Sequence, residues 1–292
     1  MLDAADADII VLLGVDWDAR LDALRAVNMG LAKPYPHLFA LAPNTGVATG
    51  LDMDGDGKAG GPRDAQGYGR FAGQGGMAVL SRYPLGDAQD FSALLWRDMP
   101  GAVLPATDGA PFPSAAAQAV QRLSTVGHWV VPVDTPAGPL RLLVSHPTPP
   151  IYDGDEDRNG LRNHDEMRFW SLYLADHHDT GGAPVLMAEA GIDPDRDQHR
   201  PGALRALIAD PRLQDPLAGA KTTEWRGVGP VRSSFILPAA ALRVTASGVT
   251  PGGAASRHAL IWVDVEQRCA VAARSASCSG VVANPGNRLR NG

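Results

Sequence analysis

Three side chains that can move protons or bind metal lie at the ends of predicted strands. His146 follows the apolar run LRLLVS, and His258 precedes the run ALIWVDV. Glu189 follows the run PVLMA and is the one carboxylate at that strand end. Imidazoles suit acid–base work on a phosphate or an acyl group, and a carboxylate suits metal binding. His146, His258 and Glu189 are therefore the candidate catalytic groups.

A second kind of chemistry is indicated by the acidic, glycine-rich stretch LDMDGDGKAGG (51–61). Carboxylates at alternate positions are typical of calcium loops, which prefer several oxygen ligands. A full EF-hand loop would place a bidentate Glu where this chain has Arg63, although Asp64 is next to it. An acidic solvated loop is the alternative. We predict a structural calcium site formed by Asp52, Asp54 and Asp56.

The segment DGDEDRNGLRNHDEMRFW (153–170) is dense in acids, arginines and asparagines. Asn163 could cap the following helix while Glu166 reaches back, as in a capping box. Three residues remain as candidates to contact a substrate: Asn163, Asp165 and Arg257, the last being the neighbour of His258.

The elements that position these residues follow from apolar patterning. Continuous apolar runs predict strands that are covered on both faces, beginning with ADIIVLL (7–13), and PAG predicts a hairpin turn within HWVVPVDTPAGPLRLLVSH. Helical spacing predicts helices over 18–28, capped by Asp18, over 161–178 and over 201–210.

Because strands outnumber helices, the pattern indicates an α/β sandwich. The proline-punctuated segment 84–124 is predicted to be a surface excursion. Residues 1–266 are predicted to form one domain, and residues 267–292 a polar tail.

Composition argues against some classes of protein but leaves a local basic groove for nucleic acid possible. The net charge of −6 argues against a surface for non-specific nucleic-acid binding, and no apolar run approaches the length of a membrane span. Cys269 and Cys278 could form a local disulfide or remain free thiols. The calcium-type loop and a possible disulfide favour a periplasmic or secreted location, although the N-terminus lacks the features of a signal peptide.

The order of these elements resembles the endonuclease/exonuclease/phosphatase superfamily, which has the DNase I-like fold. The matching stretches are PYPHLFALAPNTGVATGLDMDGDGKAGGPRDAQGYGRFAGQGGMAVLSRYPL, SHPTPPIYDGDEDRNGLRNHDEMRFW and SRHALIWVDV. The resemblance implies a four-layer α/β sandwich in which helices flank two packed, mainly antiparallel sheets. It also implies magnesium-assisted hydrolysis of phosphate esters, with His146 and His258 as the two catalytic histidines.

The chain departs from that family at its metal ligands. The family's metal-binding Glu falls at Gly14, and its Gly-Asp-x-Asn loop falls at AEAG, where Glu189 is the one possible magnesium ligand. An expected Asp falls at Ser234, which cannot orient a histidine as a carboxylate would, and the Asp of Ser-Asp-His is Arg257. The family's usual first strand is also absent. Four nearby acids could rebuild a metal site: Asp16, Asp18, Asp193 and Asp195.

Three functions follow as hypotheses. The first is a member of the family with a degenerate metal site, in which the cleft binds a phosphate-ester ligand or a protein partner and hydrolysis is weak or lost. The second is an active magnesium phosphodiesterase or phosphatase that uses Glu189 with His146 and His258. The third is a structural or assembly subunit whose contact surface is the segment 84–124.

Overall fold

A computed structural model of the protein describes residues 1–177, 181–225, 227–253, 256–267 and 287–291. Its helices are α1 (Leu2–Ala5), α2 (Asp22–Met29), η1 (Pro62–Asp64), η2 (Trp96–Asp98), α3 (Ala115–Val120), α4 (Arg158–Asp176) and α5 (Gly202–Ile208). Its strands are β1 (Ile9–Val15), β2 (His37–Phe39), β3 (Gly76–Ser81), β4 (Gln89–Asp90), β5 (Ala106–Thr107), β6 (Ala110–Pro111), β7 (His128–Thr135), β8 (Gly138–Ser145), β9 (Ala183–Glu189), β10 (Thr223–Trp225), β11 (Gly229–Val231), β12 (Ser234–Pro238), β13 (Leu242–Thr250), β14 (Leu260–Gln267) and β15 (Asn287–Asn291).

Two large sheets form the centre of the protein. One sheet has the order β13-β14-β15-β1-β3-β2, and the other has the order β12-β9-β8-β7-β4. Neighbouring strands are antiparallel except at β1/β15 and β8/β9. The parallel pair β8/β9 is joined by α4, as a crossover between parallel strands requires. The predicted hairpin over HWVVPVDTPAGPLRLLVSH is confirmed as β7 and β8.

The side chains of β1 show how the layers are arranged. Ile9 and Val11 join a buried cluster that also contains Trp129 and Val144 of the second sheet. The intervening residues of β1, Ile10 and Leu12, join a different cluster with Leu24 of α2. Since successive side chains of a strand point to opposite faces, the sheet is covered on both sides. The continuous apolar run therefore has the structure that it predicts.

The second sheet is also covered on its outer face. Trp170 of α4 and Leu204 of α5 pack in one cluster with Leu186 of β9 and Phe235 of β12. From one side to the other the layers are α2, the six-stranded sheet, the five-stranded sheet, and α4 with α5. This confirms the four-layer α/β sandwich.

The helix predicted over 161–178 begins earlier than expected, at Arg158. Asp157 precedes it with a left-handed backbone, φ 51°. Asn163 therefore lies inside the helix and is buried, so the capping box predicted for Asn163 and Glu166 is wrong. The helix predicted over 18–28 begins later, at Asp22, and Leu21 rather than Asp18 is the residue that precedes it. The carboxylate of Asp18 nevertheless accepts the amides of Asp22 and Ala23 at 3.0 Å each.

The segment 84–124 is not a detached surface excursion. Trp96, Met99 and Leu123 are at most 2% exposed and belong to the cluster around α4. The indole Nε1 of Trp96 also donates to Asp165 of α4 at 2.8 Å. The sequence does not predict this burial, because prolines interrupt the periodic apolar patterns of the segment.

Residues 287–291 lie within the segment predicted as a tail and form the strand between β1 and β14. Cys269 and Cys278 lie outside the described residues, so their pairing stays a prediction. Among the helices described, none combines the length and the apolar character needed to cross a lipid bilayer.

Candidate functional site

A cavity of about 180 Å³ lies where strands of the two sheets end side by side. The register of the second sheet brings the strand ends together, because Ser145 pairs with Ala188 in the parallel ladder and Glu189 pairs with Ser234. The first sheet contributes the end of β1 and the residues before β14. The cavity is lined by Leu13, Gly14, His146, Glu189, Ser234, Ser256, His258 and Ala259. The three predicted catalytic groups therefore share one cavity.

Glu189 is held by polar partners on two sides. Its Oε2 accepts a short hydrogen bond from the Ser234 hydroxyl and lies 3.4 Å from Nδ1 of His258. Burial alone would raise the pKa of this carboxyl, but the bonds from His258 and Ser234 outweigh burial and leave the pKa below its ordinary value. Glu189 is therefore a carboxylate at neutral pH, and its charge is directed at an imidazole.

His258 lies at the mouth of the cavity with its side chain 32% exposed. Its Nδ1 is 3.0 Å from the hydroxyl of Thr223, which in turn lies 2.6 Å from the hydroxyl of Ser233. The ring of Trp225 meets the imidazole edge-on, with centroids 5.7 Å apart. The hydrogen bond to Glu189 raises the pKa of His258, so this histidine carries positive charge over a wider pH range than a free one.

His146 differs from His258 in its surroundings. Its Nδ1 is buried and has no hydrogen-bond partner within the described part of the chain. Burial lowers the pKa of His146, against the opposing attraction of Glu189. The cavity thus contains one neutral imidazole and one that favours the cation, which is the kind of separation that acid–base sites show.

The predicted substrate contacts at Asn163 and Asp165 are corrected by the structure. Asn163 is 1% exposed and donates to the carbonyls of Thr148 and Ala190, at 2.7 Å each. These two hydrogen bonds connect the loop that follows His146 to the loop that follows Glu189. Asp165 is fully buried, where it accepts from Trp96 and from the amide of Val103 at 3.0 Å. A ligand in the cavity cannot reach either side chain without unpacking α4.

Arg257, the third predicted substrate contact, lies at the rim. Its guanidinium sits 5.8 Å from the ring centroid of Trp225, and the residue is exposed. It is next to Ser256 and His258 in the cavity wall. Arg257 therefore adds positive charge at the entrance.

The four acids that could rebuild a metal site point elsewhere. Asp18 is bound to the start of α2, and Asp16 accepts the amide of Gly75 at 2.8 Å. Asp193 accepts the amide of Arg232 at 3.1 Å, and Lys221 lies 3.3 Å from Asp193 and 3.8 Å from Asp195. The cavity wall contains none of these four carboxylates.

The donor set of the cavity does not fit magnesium, the ion that the resemblance implies. Magnesium requires near-octahedral oxygen coordination and is usually held by one or two available carboxylates. Here Gly14 offers no side chain. Oε2 of Glu189 already accepts a hydrogen bond from Ser234 and lies 3.4 Å from Nδ1 of His258. Across the described residues, one group of three acidic or imidazole ligands converges, and it lies in a different part of the chain.

That group is in the acidic loop predicted to bind calcium. Carboxylate oxygens of Asp52, Asp54 and Asp64 lie within 4.8 Å of one another. Asp56 is not in this group, and its carboxylate accepts the amide of Lys58 at 2.8 Å. Asp64 joins because the chain turns back at η1, a change of direction that the spacing of the acids does not reveal. Calcium binding here stays a prediction.

The sequence does not predict the contacts that hold Glu189 and His258 in place. Ser234 does not orient His258 itself but binds the glutamate that does, which corrects the expectation from sequence. Thr223 adds a second partner on the same imidazole nitrogen. These hydroxyls belong to ordinary strand sequences and act across 35 to 45 residues, so no local signal marks them.

The comparisons with known proteins identify the family and the fold. A profile of the Endonuclease/Exonuclease/phosphatase family matches residues 1–177. Among solved structures, an endonuclease/exonuclease/phosphatase from Beutenbergia cavernae is similar, with a TM-score of 0.56 and 20% identity over 91% of this chain. The chain spans 64% of the length of that protein. A family protein from Leptotrichia buccalis has a TM-score of 0.52 and 13% identity over 89% of this chain and 87% of its own.

These structural likenesses establish the fold. No curated protein matches the sequence. Because the family profile covers more than half of the 292 residues, the chain belongs to the endonuclease/exonuclease/phosphatase family.

Proposed function

We propose that the cleft binds a phosphate-ester ligand and that magnesium-dependent hydrolysis is weak or lost. The observation that carries this proposal is the state of Glu189. It is the one carboxylate in the cavity wall, and it is bound to Ser234 and His258. A metal ion would have to compete with both partners, and no second carboxylate in the wall would help to hold it.

The groups that remain suit an anion. The hydrogen bond to Glu189 raises the pKa of His258, and Arg257 adds a positive charge at the entrance. Ser256 lines the same wall and accepts the backbone amide of His258 at 3.1 Å. Hydrogen bonds from cationic donors to phosphate oxygens are stronger than neutral ones, which supports phosphate binding without a metal.

The size of the cavity supports a ligand that is only partly enclosed. Pockets for whole drug-sized ligands measure roughly 300 Å³ or more, whereas this cavity measures about 180 Å³. A phosphoryl group fits inside while its organic substituent remains at the rim. Trp225, which is 37% exposed, supplies an aromatic surface there.

Calorimetry on metal-stripped protein tests the metal side of the proposal. Magnesium and manganese are titrated into wild type and into a Glu189→Ala variant, and hydrolysis of bis(4-nitrophenyl) phosphate is followed in parallel. We expect no magnesium or manganese site that depends on Glu189, and no hydrolysis that a chelator stops. A site that is lost in the variant, together with chelator-sensitive hydrolysis, would instead support the active phosphodiesterase.

A further inference from the structure

Glu166 of α4 holds the loop that follows His146. The residues PTPP (147–150), the proline loop, come directly after that histidine. Prolines have no N–H, so the amide of Thr148 is the one backbone donor of the proline loop. This amide donates to Oε2 of Glu166 at 2.8 Å. The backbone donor that attaches the proline loop to α4 therefore depends on a single carboxyl group.

The same carboxyl group binds the segment that precedes β7. Its Oε1 accepts the amide of Thr125 at 2.6 Å, and its Oε2 lies 3.2 Å from the Thr125 hydroxyl. One turn earlier on α4, Asn163 donates to the carbonyl of Thr148 at 2.7 Å. The N–H and the C=O of Thr148 are thus both held by α4, two residues from His146 in the cavity wall.

Glu166 is fully buried, and its side-chain partners among the described residues are all uncharged. The ionisable groups on α4 and on the segments packed around Glu166 are Arg158, Arg162, Asp165, Arg122, His128 and His146. The guanidinium of Arg162 donates to backbone carbonyls, such as that of Leu123 at 2.9 Å. Burial lowers the pKa of His128 to about 4, which keeps this ring neutral. Burial raises the pKa of Glu166 to about 7, against the opposing effects of Arg162 and of the threonine amides.

The neutral acid fits these partners as well as the carboxylate does. A hydroxyl can accept as well as donate, so Thr125 can accept the proton of the acid while both amides still donate to the carboxyl oxygens. The carboxylate, in contrast, is a buried charge that water would solvate better. The proline loop reaches the surface at Pro149, which is exposed, so displacement of the loop would admit water to Glu166.

We propose that Glu166 makes the proline loop a pH-dependent gate of the cleft: the neutral acid keeps the loop against α4, and ionisation lets the loop open. The direction follows from linkage, because the closed loop binds the proton more tightly than an open loop in which Glu166 is hydrated. Opening displaces the backbone next to His146, so only the closed form has an intact cavity wall. Ligand binding by that cavity rests on the proposed function, whereas the opening of the loop does not.

Amide hydrogen exchange of the free protein, followed by NMR and corrected for the intrinsic rate at each pH, measures the opening. Between pH 6 and pH 8 we expect the protection of the Thr148 amide to fall about tenfold in wild type. A pKa of about 7 in the closed form and an ordinary pKa of 4.5 in the open form require this change. Glu166→Gln has a neutral side chain of the same shape and should abolish the pH dependence.

Two controls accompany this measurement. The amide of Leu142, which is fully buried in β8, should remain more protected than that of Thr148 at both pH values, because the loop opens without global unfolding. Glu266→Gln removes an exposed carboxylate paired with Arg243 and should retain the pH dependence of wild type.

Three results would overturn the gate. Equal protection of Thr148 and Leu142 would mean that the loop opens only when the whole protein unfolds. Protection of Thr148 that does not change between pH 6 and pH 8 would mean that ionisation does not drive opening. A fall that persists in Glu166→Gln would assign the effect to another group. The first two comparisons need wild type alone, so they decide even if the variant does not fold.

The link to the cleft is tested with bis(4-nitrophenyl) phosphate, added to wild type at pH 8 at ten times its Kd. A ligand that binds only the closed form lowers the fraction of open loop, so the protection of Thr148 should rise about tenfold. Unchanged protection in the saturated protein would show that the proline loop is not part of the binding site. Failure of the probe to bind would refute the proposed function, and exchange of the free protein would still decide whether Glu166 controls the loop.

Discussion

The cleft and the acidic loop at 51–64 both contain carboxylates, but the two regions use them in opposite ways. In the cleft, Glu189 is bound by a hydroxyl and an imidazole. In the loop, Asp52 accepts the amides of Gly55 at 2.6 Å and Gly57 at 2.8 Å, and Asp64 accepts those of Met53 and Gly61. The loop therefore gathers anionic oxygens, whereas the cleft pairs its single carboxylate with a hydroxyl and an imidazole.

The difference shows that the place of a carboxylate on the fold does not decide its chemistry. Amide donors stabilise the anion without adding a full positive charge, so neighbouring carboxylates can remain close to one another. An imidazolium partner removes the local negative charge that a divalent cation needs. In the loop, Arg63 neutralises only part of the charge, through Nε at 3.1 Å from Asp54.

The largest expected effect concerns calcium at the loop. We expect Asp64→Asn to weaken calcium binding about 100-fold, because it removes a central anionic ligand and disturbs the amides of Met53 and Gly61. Asp56→Asn is the matched control and should change the affinity less than about threefold. Calorimetric calcium titration of the three proteins measures this. Equal losses in both variants would contradict the grouping of Asp64 with Asp52 and Asp54.

Glu166 extends the comparison between cleft and loop to a third carboxyl group, one that is fully buried. It accepts the amides of Thr125 and Thr148. Burial raises its pKa to about 7, against the opposing effects of Arg162 and of these amides. A raised pKa in the folded state means that the folded protein binds this proton more tightly. The resulting stabilisation is complete below the unfolded value near 4.5 and is lost as the pH rises through about 7.

We therefore expect the free energy of unfolding of wild type to fall by about 1–3 kcal/mol relative to Glu166→Gln between pH 4.5 and pH 8. Urea unfolding of both proteins across that range measures the difference, and the common pH dependence of the other groups cancels. A difference that does not vary with pH would show that burial does not raise the pKa of Glu166 above its unfolded value.

A smaller effect is expected from adding a carboxylate to the cleft. Gly14 lines the cavity, and a Cβ placed there meets no atom within 4 Å. Its φ of +79° is a conformation that Asp tolerates better than most residues, at a cost of about 1 kcal/mol. We expect calorimetry to detect magnesium binding in Gly14→Asp and none in the cavity of wild type. Gly14→Asn is the uncharged control, and an equal gain in both variants would show that charge is not what the cleft lacks.

Much of the fold follows from the sequence because strands covered on both faces leave a strong signal. The runs at 9–13 and 185–188 are apolar at every position. The same reasoning placed His146, Glu189 and His258 at strand ends, and strand ends meet at a sheet edge.

The remainder depends on contacts between distant residues. The hydrogen bond between Ser234 and Glu189 exists because β9 and β12 adopt one particular register, which no local pattern specifies. Asn163 and Asp165 were predicted to contact a substrate, yet each finds buried partners from other elements. A buried polar residue with complete hydrogen bonding cannot be distinguished in sequence from an exposed one.

The contact between Glu189 and His258 also restricts movement of one sheet relative to the other, because the two residues come from different sheets. Glu189 ends β9 of the five-stranded sheet, and His258 precedes β14 of the six-stranded sheet. At the far end of β14, Gln267 donates to the carbonyl of Pro139 in β8 at 3.3 Å. Between these two contacts the sheets are joined by apolar packing, which resists separation but permits small sliding movements. A directional ion pair at one edge opposes such sliding there. Gain or loss of a proton at that edge therefore alters how freely the two halves of the sandwich shear against each other, while the packed interior is unaffected.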